Sequence, residues 1–143
     1  KFFGNVALDH IPKISAAATR TTDQFSKFPI GIGNTGVFPR PSRAQVLWIG
    51  VNDPSGKLTA LQKSFDDECA AEGFPKEDRA YRPHLTIARL RKPEGARHLA
   101  ETHLNTNFPT IEIPLHELIV FRSELSSKGS KYTAISRHQI PDP

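Results

Sequence analysis

The sequence predicts a single domain that has an α+β fold with a mixed or antiparallel sheet, for two reasons. Strand-like and helix-like segments alternate in the first half of the chain, and strand-like segments dominate the second half. In addition, the chain has 143 residues, of which 37% are hydrophobic and 24% are charged. This length and composition are typical of one globular domain with its own hydrophobic core. We therefore expect residues 1–143 to form a single domain.

The first half of the chain combines two helical patterns with three strand-like ones. Apolar residues recur at helical spacing from Ile14 to Phe28 and again from Leu58 to Cys69. The run VLWIGV is almost continuously apolar, as in a buried strand. The predicted elements are the tail of a strand at residues 2–6, a helix at 11–28, a glycine-rich bulged strand at 29–38, a strand at 46–51 and a helix at 58–73.

The second half is predicted to consist mainly of strands joined by polar turns. Strand alternation places His84, Thr86 and Ala88 on one face of their strand, and Leu85 and Ile87 on the other. The predicted elements are a strand at residues 82–90, a polar loop at 91–95, a short helix at 96–106, strands at 110–113, 118–121 and 132–136, and a hairpin connection at 126–130.

Composition excludes several classes of protein. No apolar run approaches the roughly 18 residues of a membrane span, and no signal peptide is recognisable, so we predict a cytoplasmic protein. Cys69 is the only cysteine, which excludes an internal disulfide and a thiolate metal cluster; we expect it to be a small structural residue on a helix. The net charge of +4 favours a polyanionic partner without selecting one.

The residues with the clearest chemical potential are His84 and Thr86. They are two positions apart on one strand, so their side chains point the same way, about 6.6 Å apart along the strand. An imidazole can give or take a proton near neutral pH, and a hydroxyl can donate to a phosphate oxygen. Alone, however, an H-x-T triplet occurs often by chance, and a lone strand histidine is usually a hydrogen-bonded structural residue.

The segment RPHLTIAR at residues 82–89 resembles the second H-x-T-x motif of the two-histidine phosphoesterase superfamily. It is most similar to the branch of RNA 2′,3′-cyclic phosphodiesterases, or 2′-5′ RNA ligases (LigT-like). The likeness extends to VLWIGV at 46–51, to the helix ending at Gly73 and to FRSEL at 121–125, and so covers essentially the whole chain.

This resemblance implies two pseudo-symmetric lobes, each a sheet with outer helices, and a cleft between them that holds two H-x-T-x motifs. His84 and Thr86 would be the catalytic residues of one motif, in acid–base catalysis that needs no metal and no cofactor. The opening residues KFFG resemble those that follow the first motif, so we expect that motif, with its strand and helix, to lie upstream of Lys1. No other histidine here begins an H-x-T or H-x-S triplet.

The resemblance also suggests residues that contact the substrate. It places a phosphate- or base-contacting cation at Arg89, although strand alternation puts Arg89 opposite His84. Phe2 is a candidate for the base-binding edge, but a core position is favoured for it. Trp48 and Tyr132 are expected to be core aromatics. Four further cations either line an RNA path or are solvated surface, namely Arg40, Arg43, Arg91 and Lys92.

The implied function is hydrolysis of 2′,3′-cyclic phosphate RNA ends to 2′-phosphates in RNA processing, with 2′-5′ ligation as the reverse reaction. The expected partners are RNA ends or small cyclic nucleotides, with no membrane and no obligatory protein partner, and we expect a monomer. One alternative within the superfamily is a phosphodiesterase for ADP-ribose cyclic phosphate. Alternatives of other classes are a non-catalytic RNA- or nucleotide-binding module and a structural domain in which His84 and Thr86 are buried.

Overall fold

The computed structural model describes residues 1–92, 95–127 and 129–143. The chain forms two compact units that each combine non-consecutive segments. The first unit comprises residues 1–28, 56–80 and 114–143, and the second comprises 29–55 and 81–113. Each unit contains β-structure and at least one helix, so the predicted α+β class is confirmed.

The regular elements form two sheets and three α-helices within the described residues, with two short 3-10 helices at Leu8–His10 and Pro41–Arg43. The four-stranded sheet has the strand order β3-β2-β1-β4, and β5 and β6 form a two-stranded ribbon. The pairs β1–β2, β2–β3 and β5–β6 are antiparallel. The elements are α1 (Ile11–Thr22), β1 (Phe28–Phe38), β2 (Val46–Asn52), α2 (Lys57–Ala71), β3 (His84–Arg89), α3 (Arg97–Leu104), β4 (Ile111–Leu115), β5 (Glu117–Ser126) and β6 (Gly129–Gln139).

The core of the first unit lies between α1, α2 and the β5–β6 ribbon. Its buried members are apolar or small side chains from the two helices, and partly buried side chains of β5 pack against them. Cys69 is one of these residues and lies on a helix, as predicted. It is fully buried, and burial raises the pKa of its thiol to about 11. The buried residues of this cluster are Ile14, Ala17, Ala18, Phe65 and Cys69.

A largely buried ion pair fixes the first residue of the chain to α2. Lys1 Nζ lies 2.5 Å from Asp66 Oδ1, and the two side chains are only 5% and 11% exposed. The backbone N–H of Glu77 donates to both oxygens of the same carboxylate. Burial alone would raise the pKa of Asp66, but the hydrogen bonds from Lys1 and Glu77 outweigh it, so this pKa lies below its ordinary value.

This pair predicts an acid-dependent stability. Because the folded-state pKa of Asp66 is lowered, its contribution is present above the unfolded-state pKa of about 3.9 and is lost as the pH falls through the folded-state pKa. We expect Asp66→Asn to lower the free energy of unfolding by about 1.5–3 kcal/mol at pH 7. The difference from the wild type should shrink below about pH 4. Denaturant unfolding at pH 7 and pH 3 measures both values, and an equal difference at the two pH values contradicts the assigned ion pair.

The second unit is built on the four-stranded sheet, with α3 on one of its faces. Buried side chains from β2, α3 and the turn before β2 form its core, and Val37, Ala88 and Leu90 pack against them. The glycine-rich strand β1 carries the predicted bulge. Asn34, which lies between Gly33 and Thr35, has a positive φ of 62° and pairs with no residue of β2. The buried residues of this cluster are Ala44, Leu47 and Ala100.

Two predicted elements differ from the structure. Residues 1–7 do not form a strand; Phe3 and Val6 instead pack against the core of the first unit. Helix α1 ends at Thr22 rather than at residue 28, because threonine hydroxyls donate to carbonyls of the preceding turn and the Lys27 N–H donates to the Pro141 carbonyl.

The remaining elements match the prediction to within a few residues, except that β5 and β6 extend beyond both predicted ends. Pro93 and Glu94 of the predicted loop at 91–95, and Lys128 of the predicted connection at 126–130, lie outside the described residues. None of the helices in the described ranges is long and apolar enough to cross a membrane.

Candidate active site

His84 opens β3, which is an edge strand of the four-stranded sheet. Pro83 has no backbone N–H and favours an extended conformation for the residue before it, so the chain enters the strand here. In the antiparallel pairing with β2, His84 lies opposite Gly50 and Thr86 lies opposite Trp48. Both His84 and Thr86 are exposed, which contradicts the alternative of a structural domain in which they are buried.

One hydrogen bond determines which nitrogen of His84 faces outward. His84 Nδ1 lies 2.7 Å from the carbonyl oxygen of Arg82. A carbonyl can only accept, so Nδ1 carries the proton and donates. In the neutral imidazole, Nε2 is then the acceptor nitrogen, and it has no hydrogen-bond partner among the described residues. The ring is therefore set to take a proton at Nε2 and to return it from the same atom.

Two aromatic side chains of the second unit restrain this imidazole. The Phe38 ring meets it edge-to-face with 5.2 Å between centroids, and the Trp48 ring lies 6.3 Å away. The rings of Phe38 and Trp48 also pack against each other, with 5.2 Å between their centroids. The indole of Trp48 covers Gly36, its partner on β1, where any side chain would overlap it. Trp48 is thus half-buried on the histidine face of the sheet, not a core aromatic as predicted.

Thr86 is on the same face as His84, because their partners Trp48 and Gly50 are also two residues apart on β2. Its hydroxyl has no hydrogen-bond partner within the described residues. A group bound beside His84 can therefore receive a hydrogen bond from Thr86 without competition from the protein.

A bulge in β3 changes the face of the residues that follow Thr86. Thr86 pairs with Trp48 and Ala88 pairs with Leu47, so Ile87 has no partner on β2. Beyond this shift, Arg89 pairs with Val46, which is on the same face of β2 as Trp48 and therefore of His84. The strand-alternation prediction was wrong for two residues: Ala88 belongs with Leu47 on the core face, and Arg89 is on the histidine face.

The other aromatic candidates lie in the first unit, whereas His84, Thr86 and Arg89 belong to the second. Phe2 is 79% exposed, so the favoured core position was wrong. Its assignment to the base-binding edge stays a prediction. Tyr132 is 65% exposed and contacts Phe121 on the β5–β6 ribbon, so it too is not the core aromatic that was expected. In the described part of the chain, no three His, Cys, Asp or Glu side chains are placed to hold a metal ion.

Comparison with known proteins identifies the family. The family model of the 2′-5′ RNA ligase superfamily matches residues 2–126, and the chain belongs to this superfamily. The RNA 2′,3′-cyclic phosphodiesterase of Methanothermobacter thermautotrophicus is 35% identical over 136 residues, which cover 93% of this chain and 72% of the relative. The protein of the same name from Archaeoglobus fulgidus is 29% identical, with coverage of 92% and 72%. The family predicted from the sequence is confirmed.

Solved structures support the fold. TT0787 of Thermus thermophilus has a TM-score of 0.75 at 22% identity, and the match covers 99% of this chain and 75% of that one. E. coli LigT in complex with 3′-AMP has a TM-score of 0.74 at 22% identity, with coverage of 98% and 74%. Both confirm that the chain has a LigT-like fold.

Proposed function

We propose that this protein is an RNA 2′,3′-cyclic phosphodiesterase that opens 2′,3′-cyclic phosphates at RNA ends to give 2′-phosphates. The observation that carries the proposal is the exposed imidazole of His84, whose Nδ1 is bonded to the Arg82 carbonyl so that Nε2 is the acceptor nitrogen. Thr86 supplies a hydroxyl on the same face. The relatives from M. thermautotrophicus and A. fulgidus are named for the same activity, which supports the proposal.

The reaction is an in-line displacement at phosphorus. Water attacks the phosphorus atom, the bond to the ribose 3′ oxygen breaks, one group takes the proton of the water and another protonates the 3′ oxygen. Nε2 of His84 is suited to either proton transfer. In 2′-5′ ligation a 5′ hydroxyl attacks in place of the water, and the 3′ oxygen is again the leaving group. The Thr86 hydroxyl donates to a non-bridging phosphate oxygen as charge develops on it. Arg89, on the same face, is placed to contact a phosphate or base.

A second proton-transfer group completes this scheme. We place it on the histidine of the other H-x-T-x motif, which the family resemblance implies upstream of Lys1. Water and the 3′ oxygen lie on opposite sides of the phosphorus, so one imidazole positioned for one proton is poorly placed for the other. We also propose that the protein acts as a monomer in the cytoplasm and needs no protein partner; light scattering after size-exclusion chromatography tests the oligomeric state.

The direct test is turnover of an oligonucleotide with a 2′,3′-cyclic end by the full natural polypeptide, with phosphorus NMR to identify the product. The proposal requires a 2′-phosphate. Faster turnover of ADP-ribose cyclic phosphate than of the oligonucleotide would instead support the phosphodiesterase for small cyclic nucleotides. Phosphate-dependent binding without hydrolysis would support the non-catalytic binding module.

Thr86→Val isolates the contribution of the hydroxyl. Valine keeps the β-branched shape that suits an exposed strand position, so the unfolding transition should be unchanged. Loss of one hydrogen bond to a charged group corresponds to about 1.5–3 kcal/mol, so kcat/KM should fall about 10- to 150-fold. Thr86→Ser should retain most of the rate. Equal rates for the valine variant and the wild type would contradict a phosphate contact at Thr86.

A further inference from the structure

We infer that one end of the four-stranded sheet binds the backbone phosphates of the RNA nucleotides that precede the cyclic end. This surface, here called the basic end, consists of Arg40, Arg43, Arg89, Arg91 and Lys92. The inference rests on the proposed function, because it assumes that the cyclic phosphate lies beside His84. It adds a second phosphate-binding region and makes an oligonucleotide the substrate.

Strand register brings these five cations to the same end of the sheet. Phe38, Val46 and Arg89 form one row across β1, β2 and β3. Beyond that row, the Gln45 N–H donates to the Phe38 carbonyl and the Leu90 N–H donates to the Gln45 carbonyl. The C-terminal end of β1, the N-terminal end of β2 and the C-terminal end of β3 therefore lie next to one another. Arg40 and Arg43 lie in the turn between β1 and β2, and Arg91 and Lys92 follow β3.

The side chains of the basic end are accessible to a polyanion. All five side chains belong to exposed residues, and none has an ion-pair or hydrogen-bond partner among the residues that the structure describes. In the first unit some cations are paired: Arg20 and Lys76 form ion pairs with carboxylates of α2.

The sequence shows the same asymmetry in net charge. The segments of the second unit contain seven Lys and Arg against four Asp and Glu, whereas those of the first unit contain twelve against eleven. Three of the four excess positive charges therefore belong to the second unit. Unpaired cations at one sheet end, in a unit of net positive charge, are the electrostatic pattern of a polyanion-binding surface.

The bulge in β3 aligns the basic end with the catalytic residues. Because Ile87 has no partner on β2, Arg89 shares a face with His84 and Thr86. Residues 84 and 89 pair with residues 50 and 46 of β2, so about 13 Å of strand separates them. This is about four nucleotides at the 3.4 Å spacing of a stacked strand, and fewer if the RNA is extended. An oligonucleotide with its cyclic end at His84 extends past Arg89 to the other four cations of the basic end, whereas a cyclic mononucleotide does not.

The test compares a long and a short substrate on the full natural polypeptide. The double variant Arg43→Ala/Arg91→Ala removes two cations from different chain segments and leaves Arg89 in place. The matched control, Lys13→Ala/Lys131→Ala, removes two exposed cations of the first unit that have no partner within the described ranges. The substrates are a single-stranded RNA 10-mer with a 2′,3′-cyclic end and 2′,3′-cyclic AMP. Fluorescence anisotropy with the 2′-phosphate 10-mer measures binding separately from hydrolysis.

We expect the Arg43→Ala/Arg91→Ala variant to lose about tenfold or more in kcat/KM and in affinity for the 10-mer at low salt, and to hydrolyse 2′,3′-cyclic AMP at the wild-type rate. The slope of log affinity against log salt concentration should fall by about 0.7 for each lost contact. Unchanged 10-mer affinity, an equal loss on both substrates, or an equal loss in the control overturns the inference. If the wild type hydrolyses neither substrate but the variant still loses affinity for the 10-mer, the proposed function is wrong, whereas RNA binding by the basic end is supported.

Discussion

Replacing His84 by glutamine is expected to lower the rate of cyclic phosphate hydrolysis by about 10²–10⁴-fold, the usual contribution of one proton transfer. Glutamine is close to histidine in size, but its amide cannot accept and return a proton. His84 is exposed at the start of an edge strand, so the free energy of unfolding should change by less than about 0.5 kcal/mol.

Single-turnover rates with a cyclic-ended oligonucleotide, together with thermal unfolding, measure both parts of this prediction. A matched control is His98→Gln, which changes an exposed histidine on α3 of the same unit and should leave the rate unaltered. A His84→Gln variant that keeps the wild-type rate and fold would show that the proton moves elsewhere, and the proposed mechanism would have to be abandoned.

The family and the shared face of His84 and Thr86 could be predicted because they depend on local sequence. An H-x-T triplet in a strand fixes two side chains on one face whatever the rest of the fold does, and the residues around His84 and Thr86 carry the resemblance. The exposure of both residues depends on β3 being an edge strand. Strand order is a long-range property, and no pattern within residues 82–90 specifies it.

The position of Arg89 could not be predicted, because it depends on the register between two strands. A one-residue bulge reverses the face of each residue beyond it, and the sequence HLTIAR contains no glycine or proline that would mark such a break. The same shift moves Ala88 to the core face beside Leu47. Regular alternation is therefore a good guide only up to Thr86.

The aromatic contacts of His84 were missed for a related reason. Phe38 and Trp48 lie on different strands, and each alone is an ordinary candidate for a hydrophobic core. Glycines on the histidine face at Gly36 and Gly50 leave room for their rings above the sheet. The signal that could have indicated this is the small residue opposite a large aromatic one, but it becomes visible only when the β1–β2 register is known.

Gly36→Ala is the second substitution expected to have a large effect. A Cβ atom at residue 36 would overlap ring carbons Cζ2 and Cη2 of Trp48, so the indole has to move. The rings of Phe38 and His84 pack beside it and would shift with it. Overpacking of this kind destabilises a protein by about 1–3 kcal/mol, and a displacement of a catalytic group by about 1 Å can reduce a rate by about 10²-fold.

One spectroscopic measurement and two further variants distinguish this effect from a general loss of structure. Trp48 is the only tryptophan in the sequence, so a change in its fluorescence emission reports movement of the indole directly. Gly95→Ala is the control, because a Cβ atom there meets nothing within 4 Å, and it should alter neither the fluorescence nor the rate. The double variant Gly36→Ala/Trp48→Phe provides space for the new methyl group and should recover stability relative to Gly36→Ala. If hydrolysis recovers as well, the indole acts by positioning the imidazole; if stability returns without the rate, Trp48 itself contributes to the chemistry at His84.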